Sequence, residues 1–140
     1  MKRLSKIRYS LILALFLICF MGSYILAFEG TKICTPGEGC ATVQNHATAF
    51  TFGIKNSLFG VIIFAILTIL TLIQIIKHLK NIDKILYFGI IISSVVAIYF
   101  LYLQQFVIHA YCKYCLVVDF AILIALIILF FPKINLHLEK

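Results

Sequence analysis

Four long apolar stretches alternate with short polar segments along this chain of 140 residues. A helix needs roughly 20 apolar residues to cross the hydrocarbon core of a bilayer. Each stretch reaches that length without an internal proline, and the predicted spans are Tyr9–Phe28, Ser57–Ile76, Ile85–Phe106 and Cys112–Phe131. Because a helix satisfies its own backbone hydrogen bonds, lipid can surround it. The pattern predicts an all-α membrane protein with one domain, residues 1–140, folded as a four-transmembrane-helix bundle.

The composition agrees with a membrane protein and excludes a soluble domain. Hydrophobic residues make up 64% of the chain and charged residues 12%, whereas about half of a soluble domain is apolar. A basic segment precedes the first span, as in a signal peptide. The apolar run that follows is longer than the roughly 7–15 residues of a signal-peptide core. We therefore expect the first span to be retained as a helix of the bundle.

Basic residues are concentrated at one end of the predicted bundle. Nine of the twelve lie there: Lys2, Arg3, Lys6, Arg8, Lys77, Lys80, Lys84, Lys133 and Lys140. The other three, Lys32, Lys55 and Lys113, lie at the opposite end. Because basic residues favour the cytoplasmic side, both termini are predicted to face the cytoplasm from a multi-pass protein of the inner membrane. The net charge of +7 is thus a sign of topology, and no nucleic-acid partner is expected.

Two pairs of cysteines share the extracytoplasmic side in this topology. Cys34 and Cys40 belong to the loop sequence CTPGEGC, and Cys112 and Cys115 form CKYC at the head of the fourth span. A C-x-x-C at a helix start brings two sulfurs together where the helix N-terminus favours a thiolate. Disulfides also persist outside the cytoplasm. The two pairs therefore predict a membrane thiol oxidoreductase.

Other interpretations of the cysteines are open. The pair Cys34–Cys40 is equally compatible with a structural disulfide, and C-x-x-C also occurs as half of a zinc site. We expect no metal, because structural zinc usually folds small soluble domains. Cys19 lies inside the first span and is interpreted as a small buried hydrophobe.

The long connection after the first span, Glu29–Lys55, is predicted to be an extracytoplasmic loop that acts as a lid. Its turn residues around Pro36 let the two loop thiols approach each other. The segment Ala41–Ile54 mixes small and aromatic residues, and it is compatible with a short amphipathic helix that caps the bundle or with an irregular loop. His46 and His109 are expected to be polar residues of the membrane interface.

The chain resembles the vitamin K epoxide reductase family, in its small prokaryotic form, over nearly its whole length. The resemblance rests on the C-x5-C loop pair, on FGIKNSLFG before and within the second helix, and on CKYC at the start of the fourth. The order of the pairs distinguishes it from the DsbB-type quinone reductases, in which C-x-x-C comes first. The resemblance implies a two-step relay: Cys34 meets the thiol of a partner, Cys40 exchanges with Cys112, and Cys115 lies nearest a membrane quinone.

The resemblance also implies a quinone site. Asn56 and Phe59 match positions that help to bind the quinone in vertebrate members. Two positions depart from the family: His46 stands where a serine is usual, and Asp119 stands where vertebrate members have a tyrosine. His46 is a candidate hydrogen-bond donor to the quinone, whereas Asn56 is also compatible with a simple N-cap of the second helix.

Asp119 is a candidate proton donor or acceptor for the quinone. It follows Cys115 by four positions, so both side chains share one helical face. An acid within an apolar span is costly and usually functional. The alternative is an acid near enough to the outer interface to reach water.

The function expected from the sequence is reoxidation of a DsbA-like, thioredoxin-fold partner with transfer of electrons to ubiquinone or menaquinone. Many bacterial members carry a fused thioredoxin-like domain, whereas this chain ends at Lys140, so we expect the partner to be a separate protein. One alternative is reduction of a quinone or a quinone epoxide. Another is a non-enzymatic membrane conduit, which would need cysteines on both membrane faces.

Overall fold

The computed structural model describes residues 2–138, with side chains described for residues 5–131. Within that part, four helices are long and apolar enough to cross a membrane: Ser5–Ile33, Asn56–Lys77, Lys80–Ile108 and Lys113–Phe131. The predicted all-α membrane bundle is therefore confirmed. Four of the basic residues used to predict the topology lie outside the described side chains, namely Lys2, Arg3, Lys133 and Lys140.

The helices follow one another with short connections. The elements in chain order are α1 (Lys2–Tyr24), a π-helical turn (Ile25–Glu29), α2 (Gly30–Ile33), α3 (Gly39–Asn45), a 3-10 turn (Ala47–Ala49), β1 (Phe50–Thr51), β2 (Ile54–Lys55), α4 (Asn56–Lys77), α5 (Lys80–Tyr102), a second π-helical segment (Leu103–Ile108) and α6 (Lys113–Leu138). Both ends of the described chain lie at one end of the bundle, opposite the four paired cysteines. We call these the basic end and the cysteine end.

The helices extend beyond the apolar stretches seen in the sequence. The first continues through its π-helical turn and α2 to Ile33, so that Cys34 directly follows the last helical turn. Only two residues connect α4 to α5, and the first of them, His78, has a positive φ of 47° and donates its N–H to the Gln74 carbonyl. A left-handed residue of this kind ends a helix without a long loop. The apolar stretches in the sequence therefore predict only the membrane-spanning part of each helix, and not its full length.

Small residues let the helices pack closely in the bundle. A Cβ at Gly60 of α4 would lie 2.7 Å from Ser23 Oγ of α1, and a Cβ at Gly22 would lie 2.6 Å from a methyl group of Val118. Close backbone approach at small residues is the usual basis of helix packing in membranes. The main core lies between all four helices and contains the buried side chains Ile12, Phe16, Cys19, Phe64, Leu67, Leu86, Ile90, Ile122, Ala125 and Leu129.

A polar contact joins two helices at the basic end. The buried Tyr9 of α1 donates a hydrogen bond from its hydroxyl to the Asp83 carboxylate of α5. Arg8 donates to the same hydroxyl at 2.9 Å, and its guanidinium stacks on the Tyr9 ring. The Asp83 carboxylate therefore has a hydrogen-bond partner in Tyr9, and the Arg8 guanidinium lies beside that tyrosine.

In the structure the lid is the second part of the predicted Glu29–Lys55 loop, residues Gly39–Lys55, and it is only partly helical. α3 ends at Asn45, where His46 takes an extended backbone and its side chain accepts the N–H of Thr48 to begin the 3-10 turn. A two-residue antiparallel hairpin follows, and its turn residues Phe52 and Gly53 both have positive φ. The short helix expected within Ala41–Ile54 is therefore present, but it ends at Asn45. An irregular loop is wrong, because each half of the segment has regular backbone structure.

Candidate functional site

The four paired cysteines meet at the cysteine end of the bundle. Cys34 and Cys40 are joined in a disulfide. The sulfur of Cys40 lies 3.6 Å from that of Cys112, and the sulfurs of Cys112 and Cys115 lie 2.7 Å apart. A separation of 3.6 Å is ordinary contact between sulfur atoms, so no other group stands between the pairs. The four sulfurs form one row in the order Cys34, Cys40, Cys112, Cys115.

The loop pair is positioned by the end of one helix and the start of another. Cys34 follows α2 and donates its N–H to the carbonyl of Gly30, while Cys40 lies in the first turn of α3. Between them the chain reverses through Gly37, whose φ of 95° favours glycine. Both sulfurs are nearly buried in a small apolar cluster with Leu26 and Val43.

The second pair is positioned by the start of α6. The carbonyl of Cys112 accepts the N–H of Leu116, and its sulfur accepts the N–H of Cys115 at 3.3 Å. Cys112 thus occupies the N-cap position, where a side chain satisfies an unpaired amide of the first turn. The preceding segment reverses at His109, which has a left-handed backbone at the end of the second π-helical segment.

The Cys112 sulfur is favoured as a thiolate. Its pKa is lowered to about 7, first by the hydrogen bond from the Cys115 thiol and further by the N–H groups of Cys115 and Tyr114, although burial opposes the shift. Lone pairs on a thiolate accept such hydrogen bonds better than those on a thiol. Cys112 is also the member of its pair that contacts the loop disulfide.

The geometry bears on both alternative interpretations of the cysteines. Because Cys34 and Cys40 are bonded to each other, their sulfurs do not complete a four-thiolate zinc set with Cys112 and Cys115. In the part of the chain with described side chains, no group of three or more His, Cys, Asp or Glu residues is arranged to hold a metal ion. The loop disulfide is also in contact with Cys112 through Cys40, which a purely structural disulfide would not need.

A cavity of about 450 Å³ lies directly beneath this row, between the lid and α4, α5 and α6. Its volume falls within the range of small-molecule sites. The wall is mostly apolar, and four of its polar or reactive members are Cys115, Asp119, Gln104 and Ser57. The Ser57 hydroxyl is buried and makes no hydrogen bond. An apolar ring with polar oxygens would fit such a wall and satisfy that hydroxyl.

Asn56 and Phe59 both line the cavity, but Asn56 does not cap α4. The N-cap position belongs to Lys55, and Asn56 is the first residue of the helix. Its side chain instead holds the lid, since the amide donates to the Thr48 carbonyl at 2.8 Å and accepts from the Thr51 hydroxyl at 2.6 Å. The N-cap interpretation of Asn56 is therefore wrong.

The two histidines lie away from the cavity wall. The ring nitrogen of His46 contacts both the hydroxyl and the amide of Thr48, and His46 is not among the cavity-lining residues of the described part of the chain. The structure therefore places His46 as the residue that turns the lid after α3. His109 takes the left-handed backbone before Cys112.

Asp119 lies in the cavity wall, buried to 6% exposure. Its side chain therefore faces the cavity rather than the water at the outer interface. Its Oδ2 atom is 3.5 Å from the side-chain amide nitrogen of Gln104, and the Oδ1 atom is the other oxygen available to a ligand. The oxygen of the same Gln104 amide accepts the backbone N–H of Cys112 at 3.0 Å. One glutamine thus connects the acid to the thiol pair.

Sequence reasoning missed two glutamines of this site. Gln104 is 2% exposed, and it lies in the π-helical segment, a feature that often marks functional sites. A polar amide inside an apolar span was the available signal. Gln44 of α3 lies with its amide nitrogen 3.5 Å from the Cys115 sulfur, and nothing in the polar lid sequence distinguishes it from its neighbours.

Cys19 is placed within the main core. Its side chain has no exposed surface, and its thiol donates to the backbone carbonyl of Val118. This placement agrees with a small buried hydrophobe.

Gly39 is expected to set the contact between Cys40 and Cys112. A Cβ at this position would lie 2.5 Å from the Tyr111 carbonyl oxygen, so Gly39→Ala must push α3 away from the segment that holds Cys112. Overpacking of this kind typically costs about 1–3 kcal/mol, and we expect exchange between the two pairs to slow roughly tenfold. The measurement is acid quenching and thiol labelling after reduction of the loop pair with a charged phosphine.

The matched control for this substitution is Gly30→Ala, because Gly30 has a helical backbone and no atom within 4 Å of an added Cβ. It should exchange at the rate of the unchanged protein. Equal rates for the two variants would show that the close approach at Gly39 does not govern the contact.

Comparison with known proteins supports what the site suggests. A family model described as the vitamin K epoxide reductase family matches residues 10–130. No curated protein and no solved structure matched the chain. The matched region includes all four spans almost completely, both cysteine pairs and the cavity wall. With four membrane-spanning helices and this match over most of its length, the chain belongs to the vitamin K epoxide reductase family.

Proposed function

We propose that this protein is a quinone-dependent thiol oxidoreductase that reoxidises a DsbA-like partner with a thioredoxin fold and so supports disulfide bond formation. Membership of the family implies thiol–disulfide and quinone chemistry in a membrane. The single observation that carries the finer proposal is the unbroken row of four sulfurs that ends at a cavity.

The proposed relay begins outside the bundle core. A thiolate of the reduced partner attacks Cys34, the disulfide between Cys34 and Cys40 breaks, and Cys40 leaves as a thiolate. Cys40 then attacks Cys112 in the oxidised inner pair, and Cys115 leaves as a thiolate facing the cavity. The second thiol of the partner then releases the partner as a disulfide and frees Cys34. Cys34 attacks Cys40, which re-forms the loop disulfide and releases Cys112 as a thiol beside Cys115. Each step exchanges one sulfur–sulfur bond for another and needs sulfurs close together, as the row provides.

The cavity suits a membrane quinone. When bound, a quinone accepts two electrons and two protons and so restores the inner disulfide. Phe59 offers an apolar face and the free hydroxyl of Ser57 offers a hydrogen bond, while Asn56 lines the cavity and holds the lid. Asp119 is the acid positioned to supply or accept a proton, with its other oxygen held by Gln104.

A conduit that passes electrons across the membrane without quinone is disfavoured. Such a path would need thiols toward the basic end. The remaining cysteine, Cys19, is buried in the main core and hydrogen-bonded to a backbone carbonyl rather than to another thiol. Reduction of a quinone epoxide, the other alternative, would use the same relay of sulfurs.

The test is reconstitution of the purified protein in liposomes with reduced DsbA-like protein and either ubiquinone or menaquinone. Loss of quinone absorbance together with oxidation of the partner, in a one-to-one ratio, is the expected result. A Cys115→Ser variant is the control, since it keeps the fold and removes the sulfur at the cavity. Oxidation of the partner without consumption of quinone would contradict the proposal.

We further propose that residues 1–140 form one domain in the inner membrane, with the basic end in the cytoplasm and the lid outside. The basic residues at one end support this orientation. A reporter inserted within Asn81–Lys84 should then be cytoplasmic, and one within Thr35–Gly39 should be extracytoplasmic. Labelling of a cysteine introduced at Asn81 by an impermeant reagent added to intact cells would contradict the orientation.

A further inference from the structure

The lid helix α3 makes two contacts with the inner cysteine pair at the same time. Cys40 contacts the Cys112 sulfur at 3.6 Å, and Gln44 places its amide nitrogen 3.5 Å from the Cys115 sulfur. Residues four positions apart share one face of a helix. The face of α3 that delivers the attacking sulfur therefore also carries a hydrogen-bond donor for the next sulfur in the row.

We propose that Gln44 is a catalytic residue of the relay, whose side-chain N–H stabilises Cys115 as the thiolate that leaves when Cys40 attacks Cys112. The proposal rests on the relay proposed above. In this step a bond forms between the sulfurs of Cys40 and Cys112, and the bond between Cys112 and Cys115 breaks. The electron pair of the broken bond goes to the Cys115 sulfur, where the Gln44 amide donates its hydrogen bond.

The physical reason is the place where the charge develops. Cys115 is half-buried in the wall of an apolar cavity, where an ion without a partner is strongly destabilised. Thiol–disulfide exchange is faster when the leaving sulfur is a better leaving group. A hydrogen bond to a charged sulfur in such surroundings is stronger than the same bond to a neutral thiol, so Gln44 favours the departing thiolate more than the disulfide.

In the structure Cys40 is bonded to Cys34 rather than to Cys112, which is the arrangement reached after one further exchange, when Cys34 attacks Cys40 and frees Cys112. The loop pair is a disulfide, and Cys112 and Cys115 are free thiols in contact with each other. The Gln44 amide already lies at the Cys115 sulfur in this arrangement, so it is placed where the leaving thiolate would form. Because Gln44 and Cys40 belong to one helix of seven residues, the donor is present only when the attacking sulfur is also in place.

The test is single-turnover transfer in the full chain, starting with both pairs oxidised and adding a charged phosphine that reduces the loop pair from outside. Samples are quenched in acid, and labelling followed by mass spectrometry reports the free Cys115 thiol. Gln44→Leu should slow its appearance by roughly 10- to 100-fold, the range expected for loss of a hydrogen bond to a charged group.

Thr42→Val, on the exposed face of α3, is the matched control and should transfer at the normal rate. Cys40→Ala should show no transfer, which establishes that the phosphine acts only through the loop.

The same substitution made in a Cys115→Ser variant distinguishes stabilisation of the leaving group from a role in positioning the lid. In Cys115→Ser, Cys112 can still attack Cys40, but Cys34 is then the sulfur that leaves, and maleimide labelling of Cys34 reports the rate. Gln44→Leu should leave this rate unchanged. If Gln44→Leu slowed the reaction equally in the unchanged protein and in Cys115→Ser, Gln44 would be only a structural contact. A normal rate of Cys115 release in the Gln44→Leu single variant would also contradict the proposal. Absence of transfer in the unchanged protein would instead contradict the relay itself.

Discussion

Cys40→Ala is expected to abolish turnover with a protein thiol partner while a small membrane-permeant dithiol still reduces the inner pair. Cys40 is the member of the loop pair whose sulfur contacts Cys112, so its loss interrupts the row between the two pairs. The small dithiol reaches Cys115 through the cavity and does not need the lid. Quinone reduction measured in parallel with each reductant gives the result.

Cys19→Ala is the matched control for this loss. Cys19 lies in the main core and outside the row of sulfurs, so its loss should leave both activities near those of the unchanged protein. If Cys40→Ala lost both activities to the same extent, separate outer and inner pairs would be excluded. The substitution would then be interpreted as damage to the cavity rather than to a relay.

Asp119→Asn should slow the quinone half-reaction by about 10²–10⁴-fold, the usual range for general acid–base assistance. The substitution keeps the shape of the side chain and its contact with Gln104 but removes the group that exchanges a proton at the cavity. Exchange between the partner and the Cys34–Cys40 disulfide should be unaffected, because no contact joins Asp119 to the loop pair. Stopped-flow measurement of the two half-reactions separates the steps.

The control for Asp119→Asn is the same change at the opposite end of the bundle. Asp83→Asn replaces an acid that contacts Tyr9 at the basic end and lies outside the cavity wall. It should leave the quinone half-reaction unchanged even where it lowers thermal stability. An unchanged quinone half-reaction in Asp119→Asn would show that the acid takes no part in proton transfer, although the sulfur relay would stand without it.

The lid shows where local sequence signals stop being informative. Its mixture of small and aromatic residues is compatible with a helix or a loop, and the structure contains a short helix followed by a hairpin. His46 ends the helix through a contact with Thr48, and Asn56 fixes the following turn from the start of α4. Both side chains were candidates for binding a quinone or capping a helix. An amide or an imidazole can form hydrogen bonds with many partners. Which partner it has therefore depends on the residues that the fold places beside it.

The bundle, the two cysteine pairs and the family could all be predicted from the order of residues along the chain. Membrane spans are recognisable because lipid tolerates only long apolar helices, and C-x-x-C and C-x5-C are local spacings. The resemblance implied exchange between Cys40 and Cys112, but the two lie 72 positions apart, and only the folded chain shows their sulfurs in contact. Tertiary structure alone decided that Gln44 and Gln104 approach the inner pair from different elements. Such contacts depend on how the lid and helices pack, and packing is set by shape across the whole bundle rather than by any short stretch of residues.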